Sequence, residues 1–245
     1  MTDDLQEIQA GNHSSAESVL GISLFDAFAR TLRFVGELAG DVISVENGII
    51  ASAHGESIIH ADMNALEINV MPMAIYKNMR LLRDLGRIKE GSEVTIRLEA
   101  GSDSYEADNS QMSLCIGMRA PSVFLPGLAT LQQTGFAQDR FQPSTLKRHI
   151  GSAQTGFLSL YDGELEQITP DGMRAFTFNT VGANTLKERE PDVRLTARNV
   201  FRALKLPLKG MTLSVGKNGE DYFVEFTAEV THLVTLRLQE KAEII

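Results

Sequence analysis

Few residues in this chain have the type and spacing that covalent chemistry needs. Ser144 and Lys147, in "STLK", form the S-x-x-K pattern of some acyl-transfer enzymes, but the companion S-D-N and K-T-G patterns are absent. The five histidines, His13, His54, His60, His149 and His232, show no H-E-x-x-H spacing. One cysteine excludes a thiolate zinc site, and no G-x-G-x-x-G or G-K-[ST] phosphate loop occurs. These absences point away from an enzyme and away from any bound metal or cofactor. Cys115, within the apolar run "SLCIGM", reads as a buried structural residue of a protein kept in a reducing compartment.

The pattern that does stand out is electrostatic. Residues 194–210, "RLTARNVFRALKLPLKG", carry Arg194, Arg198, Arg202, Lys205 and Lys209 with no acid, although the chain has a net charge of -9. Three further segments resemble this one: residues 23–38, 72–89 and 143–154. Together the four hold 14 of the 23 Lys and Arg but only 3 of the 32 Asp and Glu, so they carry +11 while the remainder carries -20. At 100° per residue Lys77, Arg80, Arg83 and Arg87 share one helical face, opposite Ile75, Met79, Leu82 and Leu85. Arg198, Arg202 and Lys205 form a second stripe, on a helix that Thr196 can cap and Pro207 should end. Basic residues do favour helices, but a solvated helix normally mixes Lys with Glu at i,i+4. Like charges gathered at helical spacing need an external partner, and a polyanion supplies one. In residues 23–38, Asp26 and Glu37 share the polar stripe with Arg30 and Arg33 and dilute it.

Hydrophobic periodicity supplies the elements that must carry these charges. Leu24, Phe28, Leu32 and Val35 predict a helix over 23–38, and "AIYKNMRLLRDLG" predicts another, closed by Gly86. Alternating runs predict strands in "DVISVENG", "IIASAHGES", "IIHADMN", "LEINV", "SEVTIRLEA" and "QMSLCIGMRA". The second half repeats this order: a short helix in "QPSTLKRHIGSAQT", strands in "GFLSLYDG", "ELEQI", "MRAFTFN" and "DVRLT", and the helix "ARNVFRALKL". Strands in "GMTLSVG", "DYFVEFTAEV" and "THLVTLRLQ" complete it. Gly48 and Asn64 recur as Gly163 and Asn179, each 115 residues on, and Asn78 aligns with Asn199 at a separation of 121. The repeat is too long for a solenoid unit and indicates domain duplication.

The expected organisation is an acidic N-terminal segment (1–18) adding at most an edge strand, a first domain (19–119), a connector (120–142) and a second domain (143–245). A length of 245 residues, 43% hydrophobic, permits one large domain or two of a soluble globular protein, and the repeat favours two. No apolar run could span a bilayer, and the N-terminus is unlike a signal peptide, so an intracellular, cytoplasmic protein is expected.

A duplicated α+β domain of two helices on antiparallel sheets, with an acidic body and basic helices, resembles the DNA sliding clamps. The likeness to the two-domain subunits of proliferating-cell nuclear antigen and the phage clamps covers roughly residues 20–239. It is most specific in "DVISVENGIIASAHGESIIHADMN" and in "INVMPMAIYKNMRLL", which resembles the strand leading into the second pore helix. What the resemblance implies is a polymerase processivity factor: a homotrimeric ring around double-stranded DNA, in a bacterial or phage-infected cell, tethering a DNA polymerase and met by a clamp loader. Arg30, Arg33, Lys77, Arg80, Arg83, Lys147, Arg148, Arg198, Arg202 and Lys205 would then face phosphates, which carry no sequence information. Subunits would join through Ser113, Cys115, Ile116 and Met118 against Arg174, Phe176, Thr177 and Phe178 of the next copy. Partner peptides would enter a groove at "PSVFLPGL", with Val123, Phe124 and Leu125, and more weakly Tyr222 and Leu233. An oligomeric viral structural or adaptor protein that does not bind DNA is the alternative, needing the strands but not the basic stripes. A single-stranded-DNA binder would need exposed aromatic platforms, and the chain has no Trp.

Overall fold

The computed structural model describes residues 17–66, 72–88, 93–120, 125–133, 157–161, 164–168, 174–178, 193–196 and 198–244. The first half runs β1 (Glu17–Gly21), α1 (Ile22–Leu38), β2 (Val42–Glu46), β3 (Ile49–His54), β4 (Ser57–Asp62), β5 (Met73–Tyr76), α2 (Met79–Leu85), β6 (Glu93–Leu98), β7 (Ser104–Asp108) and β8 (Ser113–Arg119). The second runs β9 (Gln132–Gln133), β10 (Phe157–Tyr161), β11 (Glu164–Ile168), β12 (Arg174–Phe178) and β13 (Val193–Thr196). It continues through α3 (Arg198–Ala203), β14 (Lys209–Asn218), β15 (Asp221–Thr231), β16 (Val234–Lys241) and β17 (Glu243–Ile244).

The hydrogen-bond ladders show the duplication directly. Adding 115 to β2 gives β10 residue for residue, and adding 120 to β5 gives β13. β2 pairs with β3 and β5, and β3 with β4; β10 pairs with β11 and β13, and β11 with β12. β1, β6, β7 and β8 join in that order, as do β9, β14, β15 and β16. The copies differ at one corner. β8 itself reaches β5 through Met118 and Arg119, whereas β16 ends before Ala242 and the two-residue β17 takes up β13. One twelve-stranded sheet therefore runs through both halves, and β12-β11-β10-β13-β17 forms a second.

The halves are joined in the middle of the large sheet, where β4 pairs antiparallel with β16 from Thr235↔Asp62 to Glu240↔Ser57. α1 lies across this junction, contacting β3 and β4 of one half and β15 and β16 of the other. Its Phe28, Leu32 and Val35 are fully buried, as the spacing predicts, Phe25 and Leu38 are buried with them, and Leu24 is only half-buried; burying each of the five contributes about 1.5–3 kcal/mol. Gly36 lets α2 come close: a Cβ there would run into the Leu82 side chain.

Three expectations need correction. "AIYKNMRLLRDLG" is not one helix, because residues 73–76 pair with β2 as a strand and the helix begins only at Met79, capped by Asn78. "SYEAD" (β7) was not anticipated as a strand; its single apolar alternation, Tyr105 and Ala107, is too short a signal against the polar residues around it. Cys115 is exposed, not buried. A bulge opposite Tyr105/Glu106 puts Ile116 and Gly117 toward the core in succession and leaves Cys115 outside.

The repeated glycine and asparagine have a physical explanation in the first half. Asn47 and Gly48 both have positive φ (50° and 72°), as the two-residue turn between β2 and β3 requires. A Cβ on Gly48 would strike the Asn64 side chain, while Met63 N–H donates to Gly48 O at 2.7 Å. Gly163 and Asn179 lie outside the described residues. Gly48→Ala should destabilise by more than the roughly 1–2 kcal/mol of a left-handed alanine. Gly55→Ala, with φ 60° but no atom within 4 Å of its added Cβ, should show the backbone penalty alone. Equal losses of stability by the two variants in chemical denaturation would show that the Asn64 side chain contributes nothing.

A candidate nucleic-acid interface on the helical layer

α1 touches both α2 and α3, so the three helices form one layer on one face of the sheet. Arg30 and Arg33 on α1, Arg80 and Arg83 on α2, and Arg198 and Arg202 on α3 are all exposed, as is Lys205 in the turn after α3. Lys147 and Arg148 lie outside the described residues. Among the described residues, Arg30, Arg33, Arg83, Arg198 and Lys205 have no ion pair.

The other cations are already engaged. Lys77 is not on α2 but between β5 and α2, and its Nζ donates to Ala39 O at 2.8 Å. Arg202 Nη2 donates to Glu37 O at 2.9 Å and Nη1 to Asn199 Oδ1 at 3.3 Å. α1 has no basic residue in its own last turn, so cations from two other segments meet its C-terminal carbonyls. Arg87 follows α2 and pairs with Asp84 at 2.9 Å; Arg80 approaches the same carboxylate at 3.9 Å. The four-residue stripe expected on α2 thus reduces to Arg80 and Arg83 on the helix itself.

Thr196 ends β13, and the first amides of α3 are met from β16, where Glu240 Oε2 accepts from Asn199 N–H at 2.9 Å and Val200 N–H at 3.0 Å. Asn199 is not the counterpart of the capping Asn78, since the strand offset of 120 aligns Asn78 with Arg198. Its Nδ2 instead donates to Ser57 Oγ at 2.7 Å across the junction of the halves. Glu240 is nearly buried, and that burial raises its pKa above the ordinary Glu value. The Val200 and Asn199 amides and the Ser57 hydroxyl pull the other way. The sequence carried a signal for this residue: Glu240 is in phase with Leu236 and Leu238 on the buried face of β16.

On the opposite face, residues 125–131 of the connector cross the β4–β16 pair. The Gln239 side chain behaves like a strand partner, its Oε1 accepting from Ala129 N–H at 2.7 Å and its Nε2 donating to Ala129 O at 3.0 Å. His60 hydrogen-bonds the Pro126 backbone, and desolvation, with the Arg237 charge, lowers its pKa against that bond and Asp62. Of the expected groove residues, Leu125 and Leu233 are half-buried, while Tyr222 is buried with Lys217 Nζ 4.5 Å from its ring centroid. Val123 and Phe124 lie outside the described residues. Of the residues expected between subunits, Ser113, Cys115 and Met118 are exposed and Ile116 is buried. Arg174, Phe176, Thr177 and Phe178 lie on β12, which among the described residues is a sheet edge paired with β11 alone. β8 has β7 on one side and meets β5 only at Met118 and Arg119, leaving its other edge open over Ser113–Gly117 among the described residues.

No family model matches the chain, and no curated protein matches it in sequence. Solved structures do match. Proliferating cellular nuclear antigen from Entamoeba histolytica superposes with a TM-score of 0.61 at 10% identity, covering 94% of this chain and 99% of that one. The chain has the sliding-clamp fold. A. fulgidus PCNA, solved with the C-terminal region of FEN-1 bound, gives a TM-score of 0.57 at 11% identity, covering 94% and 98%. A protein described as a DNA polymerase III beta subunit of Eubacterium rectale gives 0.64 at 10% identity, covering 93% of this chain. This chain spans only 65% of that beta subunit's length. No helix among the described residues of this clamp-fold chain is long and apolar enough to cross a membrane.

Glu240 yields a pH test of the site's scaffold. Its folded pKa lies above the unfolded value, so the linked stability is complete below about pH 4.5 and is lost as pH rises through the folded value. Glu240→Gln keeps an acceptor for the α3 amides and cannot ionise. Its stability relative to the parent should therefore rise from about pH 4 to about pH 8 in urea denaturation. Glu240→Ala should cost about 1–3 kcal/mol across the range, because two amides lose their acceptor. A Gln variant whose relative stability falls with pH would mean that the carboxylate is stabilised, not strained, by its surroundings.

Proposed function

We propose that this chain is a DNA sliding clamp: a processivity factor whose copies close into a ring around duplex DNA and hold replication proteins there. One observation carries the reading. β4 of the first half is already joined to β16 of the second, and the repeat makes β12 the counterpart of β4 and β8 the counterpart of β16. The two open edges are thus the two sides of a junction that the molecule makes once internally. Repeating it between molecules, β12 of one to β8 of the next, is a head-to-tail interface that either closes or grows into a filament. Closure at three copies, giving six similar domains, is the arrangement we infer.

The remaining assignments follow from that ring. The helical layer faces inward, and the exposed arginines meet phosphates through weak, exchangeable contacts that permit sliding. The acidic remainder of the surface repels DNA elsewhere. The domains span 19–119 and 143–245, joined by the 120–142 connector and preceded by the acidic 1–18 segment. The ring does no chemistry of its own and acts by tethering. A DNA polymerase and a clamp loader are the partners we infer, as FEN-1 is for the A. fulgidus protein. Val123, Phe124 and Leu125 of the connector, with Tyr222 and Leu233, form the inferred docking groove for their peptides.

Cys115 allows a direct test of the ring, because it is the only cysteine and lies on the open edge of β8. Single cysteines introduced in turn at Phe176, Thr177 and Phe178 should include one that oxidises to a ladder of covalent dimers and trimers, while the parent does not cross-link. A disulfide needs Cα atoms about 4.4–6.8 Å apart, so success reports the register of the two strands. A monomer at micromolar concentration by sedimentation, or no cross-link at any of the three positions, would rule out this interface.

The phosphate-facing assignment is tested by changing Arg33, Arg83, Arg198 and Lys205 together to Ala. None of the four has an ion pair among the described residues, so assembly and Tm should hold. The slope of log K against log salt for duplex DNA should become shallower by about 0.9 for each phosphate that is no longer neutralised. Unchanged affinity and slope would place the DNA elsewhere, and no DNA binding by the parent would favour a purely structural ring.

A further inference from the structure

We infer that Asp84 is a brake on DNA binding: its carboxylate holds back two of the guanidinium groups that would otherwise seek phosphates, and so sets the affinity of the helical layer. This rests on the clamp reading. Asp84 is the only acid in residues 72–89, and none occurs in 143–154 or 194–209. It pairs with Arg87 Nη1 at 2.9 Å and lies 3.9 Å from Arg80 Nε, while both arginines remain largely exposed (75% and 92%).

Apart from weak pairing with its neighbours, local helix physics disfavours an acid at this place. Asp84 stands next to the last residue of α2, where the helix dipole disfavours negative charge and where Asp is a poor helix former. Its backbone carbonyl already accepts from Gly86 and Arg87 N–H, so the terminal carbonyl bonds do not require a carboxylate. Asn in its place would keep the shape and remove only the charge. Exposed pairs at i,i+4 and i,i+3 are weak, which makes them suited to competition with phosphate. The carboxylate lowers the layer's charge without burying or fixing either arginine. Phosphate binding that is too strong would hinder sliding, and binding that is too weak would let DNA sit off centre; a single acid adjusts the balance.

The test uses the full-length protein and a duplex of arbitrary sequence, with affinity measured by fluorescence anisotropy over a salt series. Asp84→Asn should keep its assembly state and its Tm within about 2 °C. Its slope of log K against log salt should steepen by up to about 0.9 for each released guanidinium that reaches a phosphate, and affinity at 0.1 M salt should rise about two- to fivefold per guanidinium, the range that a weak exposed pair can hold back. Asp84→Asn combined with Arg80→Ala and Arg87→Ala should abolish that increase, which assigns it to those two side chains. If the parent binds duplex DNA with a clear salt dependence and Asp84→Asn matches it in affinity and slope, the brake is refuted while the clamp reading stands. If neither protein binds duplex DNA, the clamp reading itself fails and the brake with it.

Discussion

The rest of the structure depends on the β4–β16 ladder. It makes one sheet of two halves, and it does so through backbone hydrogen bonds that are indifferent to sequence. Side chains then fix the angle at which it is used. α1 spreads its buried aromatic and aliphatic face over strands from both halves, and Arg202 ties α3 to the end of α1. Beneath them Ser57 and Glu240 are register partners at the end of the ladder, and Asn199 of α3 bonds to both. A backbone pairing that could form between many strands is thereby confined to one geometry.

Charge and packing are interwoven in the helical layer. Lys77 and Arg202 have the composition of a phosphate-binding stripe, yet their nitrogens complete the C-terminus of α1, a helix whose last turn has no cation. The same side-chain type thus serves two purposes within one layer. The cations with carbonyl partners hold the surface on which the other exposed arginines stand.

How much of this the sequence contained varied by element. α1, both β-hairpin runs and the long strands β14–β16 were legible because their apolar periods are unbroken. The duplication was legible in the shared order of strands, and in the first half the close approach of Gly48 to Asn64 explains why that turn carries the pair. The start of α2 was not, because Ile75 fits a buried strand position as well as a helical stripe, and only pairing with β2 decides between them. Cys115 was misplaced by a bulge, which shifts the alternation by one residue with no local marker. Among the site residues, exposure of the helix arginines followed from facial spacing. Their division into engaged and unengaged did not, since Glu37 O and Ala39 O reach their cations from residues far away in the chain.

The junction of the two halves bears on the size of any closed assembly. If the junction between molecules imitates the junction within one, each must turn the chain of domains by the same angle, about 60° for six domains. That angle is set before any second molecule arrives, by α1 bridging the internal ladder. The junction within one molecule would then act as a gauge for the junction between two. Residues that adjust that angle, Gly36 where α1 meets α2 and Arg202 where it meets α3, would alter the turn at every junction of such an assembly.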